Sequence, residues 1–183
     1  MKNSLITEIL DILKTIAIAF IFGLIISNFI ISNAIVPSGS MEDTVREGSL
    51  IIINRTAYWF KSPERGDIVT FPSPDEPETL FLKRVIGLPG DTIEIKGHQL
   101  YINEVAYKED YIKITHDSLT DVYGPYTVPN GYYFLLGDNR DNSFDARFWE
   151  NRYVHEDTII GKAAFQYYPK LKLFKDMEYI ELN

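Results

Sequence analysis

Leu80 to Leu88, LFLKRVIGL, closed by Pro89-Gly90-Asp91, is the stretch from which the fold class is read. It has the length and branched, apolar character of a β-strand, and the Pro-Gly-Asp sequence ends it in a turn. Alternation with a period of two puts Phe81, Lys83 and Val85 on one face and Leu82, Arg84 and Ile86 on the other. The same kind of segment recurs outward from it. Leu50–Asn54, Gly66–Phe71 (GDIVTF), Tyr132–Leu136 and Ile159–Tyr168 read as strands, and Thr92–Lys96 with Gln99–Asn103 reads as a hairpin around Gly97-His98. Tyr107–Tyr126 is looser and more polar, an excursion from the main sheet. No stretch after residue 40 sustains a 3.6-residue apolar period, so the body is expected to be mostly β and antiparallel.

The N-terminal segment has a different character. From Thr15 to Met41 there is no charged residue, a run of 27, and its hydrophobic part, Thr15–Val36, is long enough for a bilayer core of about 30 Å at about 1.5 Å per helical residue. The expected organisation is therefore a cytoplasmic N-terminus (1–14), one transmembrane helix (15–36) and an extracytoplasmic body (37–183) containing a smaller β excursion (93–130). Lys2 and Lys14 favour that orientation, with the N-terminus inside. Ser32-Asn33-Ala34 has the small-x-small form of a signal cleavage site, but the apolar run is longer than the usual signal core of about 7–15 residues. A buried core helix is seldom this long.

Composition narrows the function. The chain has 183 residues, 45% of them hydrophobic and 14% aromatic, enough for one domain with a real core. Net charge is −8, which argues against a nucleic-acid partner. With no cysteine, disulfides, thiol catalysis and thiolate metal sites are excluded. Tyr58-Trp59-Phe60-Lys61 is an aromatic cluster with a cationic end, suited either to a membrane interface or to the edge of a core. Arg65-Gly66-Asp67 is better explained as a hairpin turn than as an adhesion tripeptide.

Directly after the apolar segment comes VPSGSMEDTV (36–45). Gly39 between Ser38 and Ser40 is expected to allow a sharp turn that presents the Ser40 hydroxyl as a nucleophile, provided a base is within reach. The histidines, His98, His116 and His155, lie at a hairpin tip or in polar surroundings and nominate no Ser-His-Asp triad. A lysine can replace histidine when burial lowers its pKa from ~10.4 toward neutrality. Lys83 qualifies, sharing its face with Phe81 and Val85, whereas the guanidinium of Arg84 does not deprotonate.

VPSGSMEDTV, GDIVTF, FLKRVIGLPGD and GDNRDNSFDAR, in that order behind an apolar anchor, resemble the type I signal peptidases of the Ser/Lys class, in their compact Gram-positive form. The resemblance implies a β-rich catalytic core with a smaller β excursion, lying against the outer membrane surface. It implies a serine endopeptidase that removes signal peptides from exported preproteins. Ser40 would be the acylating nucleophile and Lys83 the general base. Ser38 would supply an oxyanion-hole hydroxyl, and Ser143 would orient the lysine. Asp138, Arg140, Asp145 and Arg147 match positions that brace the site through ion pairs. Its expected partners are signal-peptide-bearing preproteins and the lipid bilayer of the cell membrane, with no cofactor. The family usually has proline at Asp43, serine at Ala146 and glycine at Glu150.

Two other readings remain open. A non-catalytic membrane-anchored assembly helper of the same fold would have no need of Lys83. A soluble Ser/Lys autoprotease of the repressor type would lack the anchor. Asp141, Ser143 and Asp145 also begin like a calcium loop, but Ala146 and Arg152 stand where such a loop needs glycine and glutamate, so no metal is expected.

Overall fold

A computed structural model describes residues 2–112, 120–174 and 180–181. The chain opens with one helix, α1 (Lys2–Ile25), which continues as a π-helical turn over Ile26–Ile30. The main body then begins with β1 (Ile31–Ile35), β2 (Leu50–Asn54), β3 (Ile68–Pro72) and β4 (Leu80–Gly87). Four strands follow in the excursion: β5 (Thr92–Lys96), β6 (Gln99–Ile102), β7 (Val105–Lys108) and β8 (Val122–Thr127). The chain returns through β9 (Tyr132–Leu136), β10 (Val154–His155), β11 (Gly161–Tyr168), β12 (Lys172–Leu173) and β13 (Ile180–Glu181).

The strands form two antiparallel sheets. The larger runs β1-β2-β11-β3-β4-β9-β10, with β12 on β11, and the smaller runs β13-β7-β6-β5-β8. The mostly β, antiparallel expectation therefore holds. The smaller sheet is the expected excursion, but it also draws in β13 from the end of the chain, where Ile180 pairs with Lys108. The excursion leaves and rejoins at one neck. There Val128 N–H donates to the Asp91 carbonyl at 2.8 Å, and Gly90 N–H donates to the Val128 carbonyl at 2.9 Å. Gly90 has φ +89°, a left-handed turn conformation that a side chain resists.

The helix boundary differs from the expectation of 15–36. The helix starts at Lys2, because Asp11 and Lys14 are tolerated as an exposed ion pair one turn apart, at 3.3 Å. It ends at Ile30, because the branched residues that follow pair in register with β2, from Ile31↔Asn54 to Ile35↔Leu50. The span long and apolar enough to cross a membrane is Ile6–Ile30, and its side chains are exposed.

Two apolar clusters stabilise the body. One lies between the sheets, with Phe71, Val85, Ile93, Phe134, Leu135 and Trp149 among its buried members. The other comprises Val36, Met41, Val45, Ile51, Ile53, Ile68 and Ala163, and it lies under the Ser40 turn.

Candidate active site

Ser40 sits in a 3₁₀ turn, Gly39–Met41, between two anchored neighbours. Val36 is buried and tied to the chain beyond the turn: its N–H donates to Ser49 at 2.9 Å, and its carbonyl accepts from Gly48 at 2.8 Å. Met41 is fully buried, which stabilises the turn by about 1.5–3 kcal/mol. Ser40 itself is half-buried, and the exposed Ser38 donates its hydroxyl hydrogen to Ser40 Oγ at 3.3 Å.

The turn does not depend on Gly39 in the expected way. Gly39 is not among the residues with positive φ, and an added Cβ would meet only the Glu42 carboxylate, at 3.4 Å. Gly137 is the position that excludes a side chain. A Cβ there would lie 2.2 Å from Ser143 Oγ and 2.6 Å from the Ser40 carbonyl oxygen. The start of the loop 137–147 is thus pressed between Ser40 and Ser143.

Asn139, missed in the sequence reading although it stands inside GDNRDNS, clamps the same turn. Its main-chain N–H donates to the Ser40 carbonyl at 3.0 Å, and its Nδ2 donates to the Gly39 carbonyl at 3.0 Å. Ser143 Oγ is buried without a hydrogen-bond partner, which leaves a free hydroxyl next to the turn.

Strand β4 lies against the same turn and carries Lys83, only 4% exposed, on the face it shares with Phe81. Its Nζ lies 5.5 Å from the centre of the Phe81 ring. Burial pushes the Lys83 ammonium down to about 8; Asp145 and Asp138 pull the other way, and Arg147 adds to the lowering. Desolvation outweighs two carboxylates because each of those carboxylates already faces a guanidinium.

Three buried or half-buried ion pairs hold the loop. Asp138 receives Arg84 Nε at 2.8 Å and Nη2 at 2.6 Å. Asp145 receives Arg147 Nε at 2.8 Å and Nη2 at 3.0 Å, and also accepts the Gly137 N–H at 3.0 Å. Arg140 reaches across to the excursion, where Glu109 takes its two terminal nitrogens at 2.8 and 2.6 Å. Tyr111 donates to the same Glu109, and its ring lies under the Arg84 guanidinium, 4.2 Å away. From sequence Arg84 was weighed only as a base and not as an ion-pair partner, and Glu109 was not singled out. The pairing of Arg84 could have been read, because a cation between Leu82 and Ile86 on an apolar face needs a partner. Glu109 gave no local signal.

The described histidines lie elsewhere. His155 packs edge-on against Tyr132, with ring centres 4.9 Å apart, and His98 is half-buried with Nε2 unpartnered rather than solvated. His116 lies outside the described residues. Of the three departures from the family pattern, Ala146 is fully buried, Asp43 is exposed, and exposed Glu150 donates its N–H to Asp75 at 3.0 Å. Among the described residues no group of three or more His, Asp or Glu could hold a metal ion.

A cleft of about 250 Å³ runs beside the turn, walled by Ala34 and Val36 on one side, Leu80 and Leu82 on the other, with Thr70 and Ile53 also lining it. Its two walls are strand segments with vacant edges. Among the described residues β1 pairs only with β2, and Leu80–Lys83 pair only with β3.

Comparison with known proteins places the chain in a family. The signal peptidase, peptidase S26 family matches residues 9–168. Signal peptidase I of Leptolyngbya laminosa is 35% identical over 91% of this chain and 83% of its own length. Signal peptidase I S of Bacillus subtilis (strain 168) is 38% identical over 88% of this chain and 90% of its own length. The crystal structure of a signal peptidase I from Enterococcus faecalis V583 shares 37% identity, covers 56% of this chain and 97% of that one, and superposes with a TM-score of 0.49. With the match running from within the helix α1 to the end of β11, this chain belongs to the signal peptidase family, peptidase S26.

Proposed function

We propose that the chain is a membrane-anchored serine endopeptidase that removes signal peptides from exported preproteins, with Ser40 as nucleophile and Lys83 as base. The observation that carries the dyad is the buried ammonium of Lys83, lowered to about 8, on the strand that packs against the Ser40 turn. A lysine with that pKa is uncharged in about a tenth of molecules at pH 7, far more than a solvated one.

The chemistry follows from the residues. The preprotein segment enters the cleft as an extended strand and hydrogen-bonds to the vacant edges of β1 and Leu80–Lys83, an addition of one strand to the sheet. Neutral Lys83 Nζ takes the Ser40 hydroxyl proton as Oγ attacks the scissile carbonyl carbon. The Ser40 N–H and the Ser38 hydroxyl, turned from its contact with Ser40 Oγ, donate to the oxyanion; one such donor is typically worth about 3–4 kcal/mol. The C–N bond then breaks, and Lys83 passes its proton to the leaving amine. Water deprotonated by Lys83 hydrolyses the ester and frees Ser40. The free hydroxyl of Ser143 is suited to hold Lys83 Nζ on this path.

Ile6–Ile30 anchors the enzyme in the cell membrane with the N-terminus cytoplasmic and the body outside. Ser40 then works within a short chain length of the bilayer, where membrane-held signal sequences end.

Incubating the purified full chain with a preprotein tests this reading. Release of the mature protein by the wild type, and none by Ser40→Ala, is expected. Equal release by both would show that the activity comes from elsewhere.

A further inference from the structure

The loop after Ser143 and the excursion meet in a row of aromatic rings. Phe144, 57% exposed, stacks on Phe148 with ring centres 6.5 Å apart, and Phe148 packs edge-on against Tyr123 of β8 at 5.6 Å. Arg147 braces the row. Its guanidinium carbon lies 5.0 Å from the centre of Phe148 and 5.5 Å from that of Tyr123, while Asp145 receives its Nε. Tyr123 and Phe148 also line a hollow of about 320 Å³ with His98, whose buried Nε2 has no hydrogen-bond partner among the described residues. The chemistry at Ser40 makes no use of these rings.

The path of the substrate leads to them. The lining of the cleft begins at Ser32, just after the apolar span ends at Ile30, so the membrane-held signal side of a preprotein fills the cleft as far as Ser40. Beyond Lys83 the same edge of β4 is already taken, because Arg84 pairs with Leu136 and Val85 with Leu135 of β9. An added strand cannot run on past that point. The residues after the scissile bond must turn out over the loop that follows Leu136, where Gly137 is pressed between Ser40 and Ser143. Phe144 is the next residue, and it is the first large exposed apolar side chain on that route.

We infer that Phe144, Phe148 and Tyr123 form a platform for the first residues of the mature chain, the part of the preprotein released on cleavage. This rests on the signal-peptidase reading given above and adds to it a binding surface past the scissile bond. The row measures at most about 12 Å between its outer ring centres, room for about three or four residues of extended chain at about 3.3–3.6 Å each. Rings suit a partner whose sequence varies from one preprotein to the next, since they cover apolar stems and backbone without requiring one particular side chain. Because Arg147 already holds Phe148 and Tyr123 in place, little ordering is needed when the segment lands.

The test compares peptides that share the signal side of one cleavage site and end about two or about six residues past the scissile bond, so that only the longer reaches the rings. With the full chain, kcat/KM should be about ten-fold higher for the longer peptide, chiefly through KM, as expected when one ring is newly covered. That gain should vanish in Phe144→Ser and persist in Phe144→Tyr, which keeps the ring. The same two peptides, labelled and bound to Ser40→Ala, should differ to the same extent in Kd by fluorescence anisotropy, and the difference should be lost when Phe144→Ser is added. A gain kept by Phe144→Ser, or no gain in the wild type, overturns the platform. So does concentration-dependent self-association that Phe144→Ser abolishes, which would assign the rings to a second copy of the chain. Binding to Ser40→Ala is read without cleavage. A wild type that cuts neither peptide therefore overturns the proposed function, while the anisotropy difference still decides the platform.

Discussion

Asn139 and Ser40 are joined through the backbone: the Asn139 N–H donates to the Ser40 carbonyl at 3.0 Å, while the Asn139 side chain holds the Gly39 carbonyl at the same distance. The loop that carries Ser143 therefore also fixes the turn that carries Ser40. A shift of either moves both, which makes the loop and the turn one rigid unit.

Asn139→Ala should lower kcat on a short peptide by about ten- to a hundred-fold with KM little changed, and destabilise the fold by about 1–3 kcal/mol, the cost of a lost buried hydrogen bond. Asn139→Asp should be worse, because it turns an oxygen toward the Gly39 carbonyl. Steady-state kinetics and denaturant melts decide it. A large change in KM alone would mean that the residue serves binding instead.

Ser40→Ala and Lys83→Ala should each abolish cleavage and leave the fold intact. Their double variant should be no slower than either, since the two act as one unit. Near-wild-type turnover in Lys83→Ala, measured in single-turnover conditions, would remove Lys83 as the base.

The pH dependence has a definite sign. Only uncharged Lys83 accepts a proton, so kcat/KM should rise with pH through an apparent value of about 8 and level off above it. A profile flat from about pH 6 to 10, with chemistry rate-limiting, would contradict this.

The same group affects stability. Its folded value, about 8, lies below the model-compound 10.5, so the unfolded chain binds more protons between those limits. Charged Lys83 destabilises the folded state fully below pH 8, and the penalty is lost as pH rises toward 10.5. Lys83→Met should therefore be more stable than wild type at about pH 6, by roughly 2–3 kcal/mol, with the gap closing by about pH 10. Thermal melts across that range read it directly.

Removing the anchor should separate chemistry from delivery. Deleting residues 1–29 leaves β1 in its pairing with β2, and cleavage of short peptides should persist while membrane-borne preproteins are processed much more slowly. Deleting 1–34, the form that cleavage after Ala34 would give, removes most of β1 and one wall of the cleft, and should also lose peptide cleavage. Equal activity of the two truncations on peptides would mean that β1 takes no part in binding.

Much of this protein is determined by local pattern. The two-residue alternation of Leu80–Leu88 set the strand and put Lys83 on one face with Phe81, because side chains on a strand must alternate between its faces, whereas the burial of both Lys83 and Arg84 came from packing on the two sides of β4. The turn sequences bounded the excursion, and the uncharged run located the helix, since both signals lie within a few consecutive residues. Tertiary structure decided what depends on partners distant in the chain. It ended the helix at Ile30, because Ile31–Ile35 gains more from pairing with β2 than from another helical turn. It passed the demand for glycine from Gly39 to Gly137, because close approach depends on which segments meet. It also matched Arg84 with Asp138 and Arg140 with Glu109, since a buried cation requires an anion but its own sequence neighbourhood does not say which one.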